Sequence, residues 1–275
     1  MLTDAFSSAL WGIVGGLFLL LSLSIYITVI RQIAAHRSTA QLGGEVSVPP
    51  KTFGWPEAVL AAGLISFLVI NTLASFSRSP VELSSRDLVL NLLFTVILVL
   101  FIAAFVRIRG LDIISLGGFG KMSFLRAAST GLVLLIAAYP LIILADGIVQ
   151  RVFGGGSSKQ GIVDLFNGSQ TLHQRILIIT LAVAVAPVCE EFIFRFFIYG
   201  VLRRYLGAAV GLILNALLFA LVHAHLPSFA PLFVLGSCFT LAYEWSGSIL
   251  VSMTMHALFN SITLLFLAFP QLFQQ

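Results

Sequence analysis

The apolar runs of this chain divide into about eight candidate spans of the bilayer's hydrocarbon layer, and that constrains the fold more than anything else in the sequence. Within lipid every backbone N–H and C=O must find a partner inside the protein, so such runs are read as membrane-spanning helices. The fold class expected is therefore all-α, a polytopic bundle of about eight transmembrane helices. Composition agrees: 59% of residues are hydrophobic and 9% charged, with a mean hydropathy of +1.06, where soluble domains carry about 25% charge. Little chain remains for a soluble domain, and membrane lipid is the first partner implied. The net charge of +4 is small and bears on topology, and no nucleic-acid binding is read from it. Cys189 and Cys238 both lie inside apolar runs, which does not support a disulfide framework.

In chain order, the spans are expected at about Ala9–Ile30, Glu57–Phe76, Asp87–Val106, Ala127–Ile148, Arg175–Leu206, Ala208–His225, Pro231–Tyr243 and Ser248–Phe269. The first lacks the basic start and small-residue cleavage site of a signal peptide and is read as retained. Arg31 to Trp55, with Pro49 and Pro50, is expected to be an extramembrane loop, and Asp87 behind Ser84 and Ser85 a helix start. The glycines of 117–120 have neither a strand before them nor phosphate-motif spacing, and read as a turn. Connectors after odd-numbered spans hold nine Lys and Arg and those after even-numbered spans five, which places both termini outside and a multi-pass protein in the cell membrane.

One stretch breaks the apolar pattern: Ala186-Pro187-Val188-Cys189-Glu190-Glu191-Phe192-Ile193-Phe194-Arg195. Ionisable groups at bilayer depth are costly unless paired or facing a wet cavity, so they mark function by default. Glu191 and Arg195 are i and i+4 and can pair along one helix face, whereas Glu190 lies about 100° round the helix and is left free for chemistry. Pro187 is expected to kink the helix one turn earlier and free a backbone carbonyl beside the acids.

Gly207 is the natural turn between the fifth and sixth spans, and Glu190 and His223 lie 17 and 16 residues from it on opposite arms. Antiparallel arms bring the two to one height. Phe219 precedes His223 by four residues, so its ring covers the turn below the imidazole. His225 points elsewhere, near a helix end, and reads as an interfacial or capping residue. The eighth span adds His256 and Asn260, again one turn apart on one face.

Glu190-Glu191-Phe-Ile-Phe-Arg195, Phe219-Ala-Leu-Val-His223 and His256-Ala-Leu-Phe-Asn260 resemble the EExxxR, FxxxH and HxxxN/D motifs of the type II CAAX prenyl endopeptidases, the CPBP or Abi family of intramembrane proteases, and occur in that family's order. The resemblance covers about Arg175 to Leu267. It implies a single membrane domain in which 1–172 supplies four supporting spans and 173–275 a catalytic core. It also implies an endopeptidase acting near the C-terminus of a membrane-associated, in some branches prenylated, protein or peptide. On this reading Glu190 is the base that activates water, His223 assists proton transfer, and His256 and Asn260 are oxyanion donors. Glu191, Arg195 and Phe219 support them, with Arg195 also a candidate for a substrate carboxylate. No cofactor is expected. The alternative is zinc on Glu190, His223 and His256, a His2Glu set, although the helical His-Glu-x-x-His pattern is absent. The rival class is not an enzyme: a bacteriocin-immunity scaffold or a proton-coupled carrier also uses intramembrane acids and histidines. The cavity is expected to open toward the cytoplasm, with the Gly207 hairpin protruding by about two turns into the cytosol, because a helix from Arg175 to Leu206 is about 48 Å long and must overhang or tilt strongly.

Overall fold

The computed structural model describes residues 2–42, 52–76, 84–153, 166, 168–169 and 171–269. Its helices are α1 (Leu2–Leu42), α2 (Trp55–Phe76), α3 (Ser85–Ile108), the short α4 (Ile113–Gly117), α5 (Phe124–Phe153), a long kinked α6 (Leu172–Val222), α7 (Phe229–Ser246) and α8 (Ile249–Ala268). Seven of them are long and apolar enough to span a membrane. The chain is an integral, multi-pass membrane protein. The difference from eight lies in α6: its two arms meet at Gly207, whose φ of 79° and ψ of 165° are not helical, so one 51-residue element folds back on itself as a hairpin. Only glycine reaches that backbone region without a steric penalty.

The expected loop from Arg31 is corrected. The helix continues through Arg31 to Leu42, because Arg, Gln and Ala favour helix and nothing before Leu42 breaks it. Pro49 and Pro50 lie outside the described residues. Ser84 caps α3 as expected, in a box with Asp87. Gly118, at φ 65°, ends α4, and a Cβ there would run into the backbone oxygen of Gly247, so the α4 turn and the α7–α8 turn pack backbone to backbone.

At the core, α5, α7, α8 and the second arm of α6 surround the kinked middle of α6, which is buried from Phe192 to Tyr199. Outside them, α1 is tied to α5 by the Tyr26 hydroxyl donating to Leu134 O at 2.9 Å. At one end of the bundle Tyr205 packs on Trp55, the first residue of α2, with ring centres 5.3 Å apart. Arg203 pairs there with Glu244, near the end of α7, at 3.1 Å. The Gly207 turn thus lies at the same end of the bundle as the start of α2 and the end of α7. Leu264 and Ala268, near the end of α8, cluster with Ile178 and Ala182, so the surplus of the long arm, residues 172–177, extends beyond α8 at the opposite end.

Candidate active site

The first arm of α6 is not a plain α-helix. Two π-helical segments, Leu181–Val185 and Phe192–Tyr199, flank the six α-helical residues Ala186–Glu191. Such insertions recur at functional sites because they re-aim the side chains that follow. Pro187 accounts for the first of the two segments. The Ala186 N–H bonds Leu181 O, five residues back, but proline has no N–H to continue that register to Ala182 O. The Asn260 amide fills the gap, with Nδ2 donating to Ala182 O at 2.8 Å. The freed carbonyl expected beside the acids is therefore present, and α8 holds it.

Just beyond the break, the two carboxylates occupy different worlds. Glu191 is fully sealed: its Oε1 accepts from Arg195 Nη1 at 2.8 Å and from His256 Nδ1 at 2.9 Å. Glu190 keeps 29% of its side chain exposed, and its Oε2 lies 3.8 Å from His256 Nε2. A partly exposed carboxylate beside an imidazole can exchange a proton with it.

Both histidines are fixed by what their Nδ1 meets. In His223, Nδ1 lies 2.7 Å from Phe219 O, an acceptor only, so Nδ1 carries the proton and Nε2 is a bare base. In His256, Nδ1–H donates to the Glu191 carboxylate, so Nε2 also faces Glu190 bare unless the ring is doubly protonated. The Phe219 ring lies edge-on to both imidazoles, 4.8 Å from His223 and 5.8 Å from His256. The two arms of α6 carry Glu190, Glu191, Arg195, Phe219 and His223, and α8 brings His256 and Asn260 against the first arm.

Arg195 does not fit the role of reading a substrate carboxylate. Its side chain is 0% exposed, and Nη2 donates to Gly236 O at 3.2 Å. The guanidinium lies 4.4 Å over the Phe219 ring and 5.2 Å from the centre of Phe239. Its charge is spent inside the protein, on Glu191 and on cation–π contacts. His225 lies just past Ala224, which is held at φ 51°, with Nδ1 2.8 Å from Ser228 Oγ; its side chain reaches no backbone N–H of the turn that follows.

The supporting network runs deeper than the three motifs. Asn215 Nδ2 donates to Thr240 Oγ1 at 3.1 Å, and the Thr240 hydroxyl donates to Gly236 O at 2.8 Å, the same oxygen that receives Arg195. A Cβ at Gly236 would lie 2.9 Å from Phe219 and 3.5 Å from Arg195, so glycine is needed for the close approach. Asn215, Phe219 and His223 stand at four-residue spacing on one arm, a polar-aromatic stripe visible in the sequence. Gly236 and Thr240 gave no comparable signal.

Among the described residues no three His, Cys, Asp or Glu side chains stand where one ion could join them. As placed, Glu190, His223 and His256 do not form a ligand set for zinc, and no chemical step is routed through a metal.

Phe239 stacks on His256 with ring centres 5.1 Å apart. Counting back along α7 and α8 from Gly247 puts this level about 13 Å from the turn.

The resemblance read from the motifs is borne out where they lie: residues 172–262 match the family model for Type II CAAX prenyl endopeptidase Rce1-like proteins. A curated relative, "Membrane-embedded CAAX protease MroQ" of Staphylococcus aureus (strain USA300), is 23% identical over 138 residues, covering 48% of this chain and 54% of that protein. The chain spans about half the length of the curated relative it matches. No solved structure matches.

Proposed function

We propose that this protein is an intramembrane endopeptidase that hydrolyses a peptide bond near the C-terminus of a membrane-associated protein or peptide, prenylated in the case closest to the family's name. The observation that carries the proposal is the division between adjacent acids: Glu191 is neutralised and sealed, while Glu190 is partly open and lies 3.8 Å from His256 Nε2. The match of residues 172–262 to the CAAX endopeptidase family supports it.

In this reading Glu190 takes a proton from a water molecule whose oxygen attacks the scissile carbonyl carbon. The bare Nε2 of His223 relays a proton to the leaving amine as the C–N bond breaks, and the new carboxyl group departs with the other product. The oxyanion formed on the way needs donors. His256 can donate through Nε2 only as an imidazolium, and the Glu191 carboxylate on its Nδ1 stabilises that form. Asn260 spends one amide N–H on Ala182 O and keeps the second for the oxyanion.

The test is Glu190→Gln, which preserves shape and removes the base. C-terminal processing of membrane proteins and peptides shed by cells, compared by mass spectrometry between wild type and variant, should show products that fall by about 100-fold or more. The variant should remain folded by size-exclusion chromatography in detergent. Products unchanged in a folded variant would overturn the proposal and leave a scaffold or carrier in its place.

A further inference from the structure

A cavity of about 380 Å³ opens at the end of the bundle marked by the Gly207 turn, and its wall includes none of Glu190, His223 or His256. Arg203 and Arg204 line it, with Tyr199 and Tyr243, over an apolar floor to which Phe53 and Leu116 contribute. The hydroxyl of Tyr243 is committed to Leu116 O at 3.1 Å, and Tyr199 donates to Glu244 Oε2 at 3.0 Å. Glu244 Oε1 holds Arg203 at 3.1 Å. The two arginines therefore face one carboxylate, and among the described residues no acid pairs with Arg204. Counting the described residues, two arginines line the cavity, and the buried Glu244, 6% exposed, holds one of the two guanidinium groups in place.

Position narrows the ligand. The Trp55–Tyr205 ring pair lies at this end, two positions from Gly207, where aromatic residues mark the headgroup level. The ends of the helices here also carry Arg107, Arg109, Lys121 and Arg126, so the excess of basic residues makes this face cytoplasmic, where anionic lipids are displayed. Guanidinium forks match the oxygens of a phosphate, and the apolar floor suits the glycerol and first methylenes attached to it.

We propose that this cavity binds a phosphate group through Arg203 and Arg204, and that the phosphate is that of an anionic phospholipid headgroup. This goes beyond the proteolytic reading and does not depend on it. The test uses the full chain, purified in neutral detergent and titrated with phosphatidylglycerol or phosphatidylcholine, with bound lipid counted by native mass spectrometry. Phosphatidylglycerol should be retained in preference to phosphatidylcholine, and Arg204→Gln should cut that retention roughly fivefold, the effect of one basic side chain near a charged headgroup. Arg126→Gln, which removes a charge at the same end but outside the cavity, should leave it unchanged. Equal retention of both lipids, no effect of Arg204→Gln, or an equal loss in Arg126→Gln would overturn the site. Displacement of the lipid by millimolar inorganic phosphate would overturn the lipid as its source and assign the site to free phosphate.

Discussion

Glu191, Arg195, Tyr199 and Arg203 stand at four-residue intervals along α6, yet the two ends of this stripe follow opposite rules. At the inner end the Glu191–Arg195 pair is 0% exposed on both sides, bracketed by His256, Gly236 O and aromatic rings. At the outer end Arg203 is 52% exposed and its partner Glu244 only 6%. Inside, each charge is held by protein and removal of one strands the other; outside, solvent can replace a lost partner. The same residue chemistry therefore fixes geometry at one end and leaves a ligand site at the other.

Breaking the inner pair should have the largest effect. Arg195→Leu leaves the sealed Glu191 carboxylate without its guanidinium and is expected to cost about 3–5 kcal/mol in a denaturant titration from mixed micelles. A loss below about 1 kcal/mol would mean that the pair is solvated and the contrast false. An intermediate effect is expected of Gly236→Ala, whose added methyl presses on the Phe219 ring and the Arg195 guanidinium: about 1–3 kcal/mol by the same titration. The smallest belongs to Arg203→Gln, expected to cost about 1 kcal/mol, because Arg203 is half-exposed and the buried Glu244 keeps the Tyr199 hydroxyl as a donor. If it matched Arg195→Leu, the outer end would be as closed as the inner.

Much of this was legible in the sequence because bilayer physics leaves few choices. Apolar runs located the spans to within a turn at most ends, Gly207 marked the hairpin, and four-residue spacing paired Glu191 with Arg195 before any contact was known. Hydropathy did not locate the end of α1, since Arg31 to Leu42 leaves the apolar pattern without leaving the helix. Nor could α6's length say at which end its surplus lies; that is decided by the contacts of Trp55 with Tyr205 and by the cluster around Ile178. At the site, the motifs named the residues but not their commitments. That Arg195 is sealed, that His256 is oriented by Glu191, and that Asn260 spends an N–H on Ala182 O all depend on how α7 and α8 meet α6, which periodicity within one helix does not encode.

The spacing of Glu191 and Arg195 also bears on how the chain is made. The first arm of α6 is translated before α7 and α8, so it meets the insertion machinery with neither Gly236 O nor His256 at hand. A charged side chain at the centre of a nascent span costs about 2.5–3.5 kcal/mol on insertion scales. Because acid and base lie one helical turn apart, they enter as a self-neutralising couple, and Glu190 is the one charge in that stretch that must wait for company. His223 follows on the returning arm and His256 only with α8. The order of synthesis thus delivers the structural pair ready-made and withholds the second imidazole beside Glu190 until the surrounding walls are in place.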